Sequence, residues 1–376
     1  MKISPIYKRD LSSELEDKIA SLLSEYFNTE INDLWKRRFN LIWHSNPYLT
    51  DDVPAGWIMI SDEDKICGFM GNVPAEFQYG NIVLKASGTG PLYVEQKYSG
   101  IESSRLCLSF VKQNTDILIS STPNDAAVKI FKKLKLDIIP VEHITSYIIV
   151  QSTISFLRYI IGKYFCKNES KVTTVKRNKS QTCENKVRIY NQNRYYIQIT
   201  DDFIYHGCSI KLISSVSEFM NCINRHPVDN RILLSRTSKS LNWILFSPEV
   251  QNLLHRSVIS ICDSANNYLG YCVFDIKEES LSQRYLLVRQ LELLESDEII
   301  LNALKEYLKM VAKQNDCFMI QIRLIMPDVK LDQMLRKVIR LKKEGKNNYL
   351  VKLSKNRELS LDEFSASALD PDLGLV

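Results

Sequence analysis

The feature that most limits how this chain folds is that it contains much of itself twice. The string FNLIWHSNP (39–47) returns in loosened form as LNWILFSP (241–248), and KICGFMGNV (65–73) returns as NYLGYCVFD (267–275). DILISSTPNDAAVKIFKKLKL (116–136) is echoed by DCFMIQIRLIMPDVKLDQMLRKVIRLKK (316–343). The three pairs keep their order and a nearly constant spacing of about 201 residues, the signature of an internal repeat. A chain of 376 residues written this way is two copies of one domain-sized unit of about 150 residues. The expected division is 1–150 for the first copy, 151–200 for a basic helix and linker, 201–355 for the second copy and 356–376 for a tail. A duplicated unit usually packs against its copy, so the seam is a natural place for a substrate cleft.

The unit reads as mixed α/β. In 13–29, Leu15, Ile19, Leu22, Leu23 and Tyr26 fall near one helical face, and Ser13 followed by Glu16 makes a capping box. A short helix through Trp35, Phe39 and Trp43 is stopped by Asn46-Pro47. Four strands follow, GWIMISD (56–62), KICGFMGNVPAEFQY (65–79), NIVLKASGTG (81–90) and PLYVEQ (91–96), with turns at Asp62–Asp64 and Gly80-Asn81. A polar turn, KYSGIESS (97–104), leads into a helix, a strand at 116–121, a helix at 126–134 and a last strand at 138–150.

Composition excludes several classes. Apolar residues make up 45% and charged residues 25%, ordinary globular chemistry. A formal charge of +5 is too small for wholesale nucleic-acid binding, and the basic excess is local, in 163–194. Nine cysteines are scattered singly, with no paired spacing, so neither a metal site nor a disulfide framework is expected, and reduced thiols in a cytoplasmic protein are the simplest account. The polar opening MKISPIYKRD reads against a secretory signal. The most apolar window, 144–165, is interrupted by Gln151, Arg158 and Lys163, too polar for a membrane span.

The segment that carries chemistry is LYVEQKYSGIESSRL (92–106), where a strand ends in a glycine-containing turn that opens a helix. Backbone N–H groups at a helix N-terminus, with the helix dipole behind them, cradle a pyrophosphate, and glycine lets it approach the backbone. This segment resembles the central motif of the GNAT superfamily of N-acyltransferases, an Arg/Gln-x-x-Gly-x-Gly/Ala turn. The resemblance implies an α/β (α+β) fold, two GNAT-like mixed-sheet domains in tandem with the C-terminal one degenerate, and acetyl-CoA or another acyl-CoA as donor, with an acyl carrier protein thioester as a further option. Lys97 takes the Arg/Gln position, Gly100 the first glycine and Glu102 the second. Leu92, Val94, Lys97, Tyr98, Ser99, Gly100, Ile101, Ser103, Ser104 and Asn124 are the donor-binding residues it implies. In the family a Tyr on the last helix often protonates the departing thiolate; Phe131 stands there, so water or another residue must do so, with Tyr93, Tyr98 and Tyr147 as candidates. Glu95, Glu76 and His143 are the candidate bases.

The second copy has no glycine turn. LVRQLELLESDEIILNALKEYL (287–308) puts Glu295, Asp297 and Glu298 where phosphates would lie, so that half is expected to support the first or shape the acceptor site. The W…N-P…G-W opening, Trp43 to Trp57 with Asn46, resembles tandem GNAT proteins and more distantly Fem-type aminoacyl transferases, and makes Trp43 and Asn46 candidate acceptor contacts. Asp370 and Asp372 in the tail are carboxylates placed to hold an ammonium or sugar hydroxyls. The expected activity is transfer of an acyl group to a small-molecule amine, plausibly an amino sugar of a surface-glycan or natural-product pathway. The alternatives are a non-catalytic tandem scaffold and a Fem-like transferase using aminoacyl-tRNA, the one reading in which nucleic acid is a partner. Membrane contact is at most peripheral, through the amphipathic stretch 156–167.

Overall fold

The structure is a computed structural model that describes residues 1–27, 32–139, 143–169, 202–224, 231–279, 283–295, 297–325, 329–339, 341–346, 348–354 and 359–366. The first copy opens on a strand that the sequence pattern did not show, β1 (Lys2–Tyr7). It continues through α1 (Ser13–Phe27), α2 (Asn32–Phe39) and a π-helical turn at Asn40–His44 into β2 (Pro54–Ile60), β3 (Ile66–Tyr79) and β4 (Ile82–Val94). Then come α3 (Ile101–Val111), β5 (Ile117–Ser120), α4 (Asp125–Lys133), β6 (Asp137–Ile138), β7 (His143–Val150) and α5 (Thr153–Glu169). The second copy repeats the series as β8 (Asp202–Tyr205), β9 (Cys208–Ile213), α6 (Val216–Ile223), β10 (Ile232–Leu234), α7 (Ser238–Leu241), a π-helical turn at Asn242–Phe246 and α8 (Pro248–Leu254). It ends with β11 (Arg256–Cys262), β12 (Tyr268–Glu279), β13 (Gln283–Leu293), α9 (Glu298–Gln314), β14 (Cys317–Leu324), α10 (Val329–Val338), β15 (Leu341–Lys346) and β16 (Leu350–Leu353).

Two eight-stranded mixed sheets result, ordered β1-β2-β3-β4-β5-β16-β6, with β10 added beside β3, and β15-β7-β14-β13-β12-β11-β9-β8. Their membership departs from the linear division at residue 150. β7, the last strand of the first copy, lies antiparallel to β14 in the second sheet, with Tyr147 opposite Ile322. β16, the last strand of the second copy, lies antiparallel to β5 in the first, with Val351 opposite Ile119. The exchange is reciprocal: β6 and β15 stay at the edges of their own sheets, and the strand after each crosses over. Alternating apolar residues dictate which face of a strand is buried but not which neighbour it pairs with. Tyr147 and Ile149 fill the second sheet's core as well as Val351 fills the first's.

Three cores follow. One lies between the first sheet and helices α3 and α4, around Met70, Phe110 and Phe131. A second lies between the second sheet and α9 and α10, around Phe274, Leu304 and Tyr307. The third is shared by the two copies, joining Trp35, Trp43, Phe69 and Phe77 to Phe219, Trp243 and Leu245. The repeated π-helical turns meet there, where the Trp243 indole Nε1 donates to the Leu41 carbonyl at 3.0 Å. A buried Trp leaves its N–H unsatisfied unless such a carbonyl faces it. Phe364 also stacks into this core on Phe77, ring centroids 5.7 Å apart, so the start of the tail is packed in place.

Candidate active site

β4 and β5 run parallel side by side only from Ala86–Gly88 against Ile117–Ile119. Beyond Gly88, β4 continues against β3 alone, and the pairing slips between Met70 opposite Leu92 and Asn72 opposite Thr89. Gly90 and Pro91 form a bulge across from Gly71. A Cβ on Gly90 would sit 2.9 Å from the Gly71 Cα, and one on Gly71 would sit 3.1 Å from both the Gly90 Cα and the Pro91 Cδ. Only glycine lets two backbones meet this closely, and Pro91 removes a ladder donor, so the strand bends out of register there. The pattern SGTGPL (87–92) reads as two strands meeting at residue 90, whereas the structure makes one bent strand.

The bend separates β4 from β5 and leaves a wedge-shaped cavity of about 380 Å³. Thr89, Gly90, Pro91 and Leu92 form one wall and Ser120, Thr122, Pro123 and Asn124 the other. Phe131 and Ala127 of α4 close it on one face of the sheet, and Trp35 and Arg38 of α2 close it on the opposite face. At its apex the Thr89 hydroxyl donates to Ser120 Oγ at 3.1 Å. No carboxylate, imidazole or phenol of the described residues lines it.

Where β4 ends, the Glu95 N–H bonds to the Cys67 carbonyl at 2.9 Å and the chain turns through Gln96–Tyr98 into Gly100. Gly100 has φ +95° and ψ −106° with open space around it, a conformation that side chains resist. Ser104 makes the first backbone bond back to Gly100, at 3.2 Å, and no side chain caps α3. The amides of Ile101, Glu102 and Ser103 thus stand at the positive end of an 11-residue helix without a capping acceptor. Glu102 turns along the helix and pairs with Arg105 at 2.8 Å. Lys97 lies 4.5 Å over the Tyr98 ring and 3.6 Å from Glu95. Ser99 and Ser104 donate to the Gln96 and Gly100 carbonyls at 2.9 and 3.2 Å, and Ile101 is exposed.

The sequence-derived residues distribute unevenly around this geometry. Leu92 and Asn124 line the wedge, and Asn124 caps α4 by accepting from the Ala127 N–H at 2.9 Å. Val94 and Tyr98 pack on the α3–α4 core, and Tyr93 packs on the shared core. Glu95 is held below the usual carboxylate range, first by its hydrogen bond from Lys65 and then by Lys97, and pairs with Lys65 at 2.9 Å. Glu76 sits opposite Lys85, toward the far end of β3, and accepts from Ser235 Oγ at 2.9 Å. His143 begins β7 in the second sheet, opposite Lys346. Tyr147 donates to the Asp332 carboxylate in that same sheet's core.

Trp43 is fully buried and stacked on Phe39 at 4.2 Å. Asn46 is buried too, donating to the Pro74 carbonyl at 2.9 Å and accepting from the Tyr48 N–H at 2.8 Å. The structure therefore does not bring Glu76, His143, Trp43 or Asn46 to the wedge. Trp43 and Asn46 serve the shared core and the turn that follows it, while Glu76 and His143 lie on strands that lead away from the wedge. Asp370 and Asp372 lie outside the described residues. Trp35, Arg38, Gly90, Pro91, Ser120 and Thr122 were not foreseen; the Gly-Pro pair inside a strand pattern was the available signal.

The second copy repeats the bulge with a different residue in it. β13 and β14 pair in parallel up to Val288 opposite Ile322, and a slip between Val273 opposite Gln290 and Phe274 opposite Val288 makes Arg289 the bulged residue. Its guanidinium donates to Asp275 Oδ2 at 2.8 Å, while Arg256 grips the same carboxylate at 2.7 and 3.0 Å. Burial pushes the Asp275 carboxyl up, but Arg256 and Arg289 outweigh it and hold it at about 2. The following helix, α9, is capped by Asp297, which accepts from the Ile299 N–H at 2.6 Å. Where the first copy has glycine at the bulge and uncapped amides before the helix, the second has a buried arginine and a capping carboxylate.

No protein-family model and no curated protein matches the chain. Solved structures match nearly its whole length. A GCN5-related N-acetyltransferase from Anabaena variabilis aligns with TM-score 0.51 at 10% identity, over 94% of this chain and 73% of that one. A Saccharomyces cerevisiae N-myristoyltransferase with bound myristoyl-CoA and inhibitors aligns with TM-score 0.52 at 11% identity, over 94% and 79%. A probable N-acyltransferase from Enterococcus faecalis gives 0.51 at 9%, over 94% and 72%. The chain shares their tandem GNAT fold.

Proposed function

We propose that the first copy binds an acyl-CoA and transfers its acyl group to the nitrogen of a small amine, while the second copy supports it. The observation that carries this reading is the wedge: a glycine-lined bend in β4, lined by side chains from both faces of the sheet and set beside an uncapped helix N-terminus. The residues fit the donor. The Gly71–Gly90 backbone contact sets the bend that parts β4 from β5, and the amides of residues 101–103 suit a pyrophosphate. Lys97, Ser99, Ser103 and Ser104 surround that position. When bound, the donor supplies an acyl group activated as a thioester, which an amine takes as an amide with release of the thiol.

The chain's own part is mainly positioning and exclusion of water. Leu92, first residue past Pro91, offers its N–H toward the carbonyl oxygen. Asn124 and Phe131 hold the arm of the donor from the α4 side. Trp35 and Arg38 meet the acceptor from the α2 side. Because no described carboxylate, imidazole or phenol lines the cavity, the amine must arrive neutral. Its proton leaves through the Thr89–Ser120 hydroxyl pair to water and returns to the thiolate by the same route. The cavity lies at the small end of the usual range of about 300–1,000 Å³, which favours a short acyl group. An amino sugar of a glycan precursor is the acceptor class the sequence reading favours.

Calorimetric titration with acetyl-CoA tests the proposal. Micromolar binding is expected for the native chain and none for Gly100→Glu, which sets a carboxylate in the open space before the α3 amides, with thiol release on adding amines to the native chain. Binding without thiol release toward any amine would favour a non-catalytic role, and absence of saturable binding by any acyl-CoA would overturn the assignment.

A further inference from the structure

α5 (Thr153–Glu169) follows the exchanged strand β7 and packs on the start of β14, where the Tyr159 ring lies 5.1 Å from that of Phe318. On the same side Gln283 Nε2 approaches the Ser155 carbonyl at 3.4 Å. The side turned away from the sheet is the apolar one. Ile154, Leu157 and Ile161 are 67%, 53% and 52% exposed. At about 3.6 residues per turn they fall within about 60° of one another, across the helix from Tyr159. On no other described element do three large exposed apolar side chains share a face. A surface helix ordinarily turns such a stripe to the core and its polar residues to water. In α5 the order is reversed, which marks the stripe as a contact surface.

Charge decides which partner it suits. Arg158, next to Leu157, is exposed beside the stripe. From 151 to 200 the sequence holds ten Lys and Arg against Glu169 and Glu184, a net +8 where the whole chain carries +5. The rest of the chain is therefore net acidic, and the positive charge is concentrated on α5 and the sequence tethered to its end. A second copy of the chain would bring the same charge to the contact and be repelled. A nucleic acid would use the cations and leave the stripe in water. The surface of an anionic bilayer takes both at once: apolar side chains enter the boundary between headgroups and acyl chains, and Lys and Arg meet the negative headgroups. No described helix is long and apolar enough to cross a membrane, so a helix of this kind lies in the surface.

We infer that the outward face of α5 docks on the surface of an anionic membrane. Ile154, Leu157 and Ile161 enter the interface, Arg158 meets the headgroups, and the net positive charge of 151–200 draws the chain toward them. Neither signal suffices alone: three apolar side chains are a weak hold, and exposed cations are screened by salt. The inference stands apart from the acyl-transfer reading, since it uses neither the wedge nor the α3 amides. It gives the second sheet a task, because α5 is packed on that sheet and the hold passes through it.

The test is co-sedimentation of the full chain with vesicles of phosphatidylcholine alone and of phosphatidylcholine with about one third phosphatidylserine, at low ionic strength. The anionic vesicles are expected to bind about tenfold tighter or better. That binding should weaken several-fold as salt rises toward about 1 M and the Debye length falls to about 3 Å. Ile154→Gln with Leu157→Gln and Ile161→Gln places good helix formers at exposed positions and should cut the binding about tenfold. Arg158→Gln should lower it a few-fold. If the triple variant misfolds, Leu157→Trp reads the same contact. The four native tryptophans are buried, so a fifth on the stripe is expected to shift its emission to the blue on adding anionic vesicles and to be quenched by brominated acyl chains. Absence of vesicle binding, binding unaltered in the folded triple variant, or Leu157→Trp emission unmoved by bound vesicles overturns the inference. So does a dimer that the triple variant breaks, or an affinity for RNA, found in place of vesicle binding.

Discussion

The two wedges are the same construction put to opposite uses. In each copy a long strand leaves its parallel neighbour at a bulge, and in each a helix follows. The first copy places Gly90 and Pro91 at the bulge and Gly100 before the helix, so a cavity and three uncapped amides remain. The second places Arg289 at the bulge and Asp297 before the helix, so the bulged side chain is tied into an ion cluster with β12 and β11 and a carboxylate caps the amides. The topology guarantees the strand separation; the residue at its apex determines whether that separation is a binding site or a piece of core.

The contrast can be broken at its strongest point first. Asp275→Ala leaves Arg256 and Arg289 buried without a counter-charge, and the expected loss is about 3–5 kcal/mol in denaturant unfolding. A loss below about 1 kcal/mol would mean that the ion cluster is not what holds the Arg289 bulge in place. A smaller effect, of opposite sign, is expected at Lys277. Its ammonium keeps its proton up to the usual 10.5 when unfolded but gives it up at about 7 when folded. The native state therefore binds fewer protons between those values, and the destabilisation is complete below pH 7 and fades as pH rises toward 10.5. Lys277→Met should raise Tm most at pH 6–7 and least above pH 10; a gain independent of pH would refute the depressed lysine. The smallest effect belongs to Glu102, already turned to Arg105. Glu102→Gln removes a negative charge near the proposed phosphate position and should tighten acetyl-CoA binding by about 0.3–1 kcal/mol, a few-fold in Kd, with unfolding unchanged.

What the sequence disclosed and what it hid divide along a physical line. The repeat, the strand–turn–helix at 92–106 and Gly100 are local patterns whose chemistry lies within a few residues, and they stand in the structure as a Gly turn opening α3. The bend at Gly90–Pro91 was visible but ambiguous, since a glycine–proline pair ends a strand as readily as it bends one. Arg256, Asp275 and Arg289 come from three different strands, so no spacing along the chain announces them. Glu76 and His143 were placed by proximity in sequence to the motif; register carries the first away along β3 and strand exchange carries the second to the other sheet. Strand exchange itself was unreadable, because β5 presents the same apolar edge to β16 that any neighbouring strand would accept.

That exchange also imposes an order of events during synthesis. The wholly buried strand Ile117–Ser120 pairs with β4 on one side but cannot gain its second neighbour until Leu350 has left the ribosome, a wait on the order of ten seconds or more at about 5–20 residues per second. The first copy is therefore not a domain that matures while the second is being made. It must persist with an apolar edge unpaired, in need of protection from other nascent chains, and catalytic competence would arrive only with the final residues of the second copy.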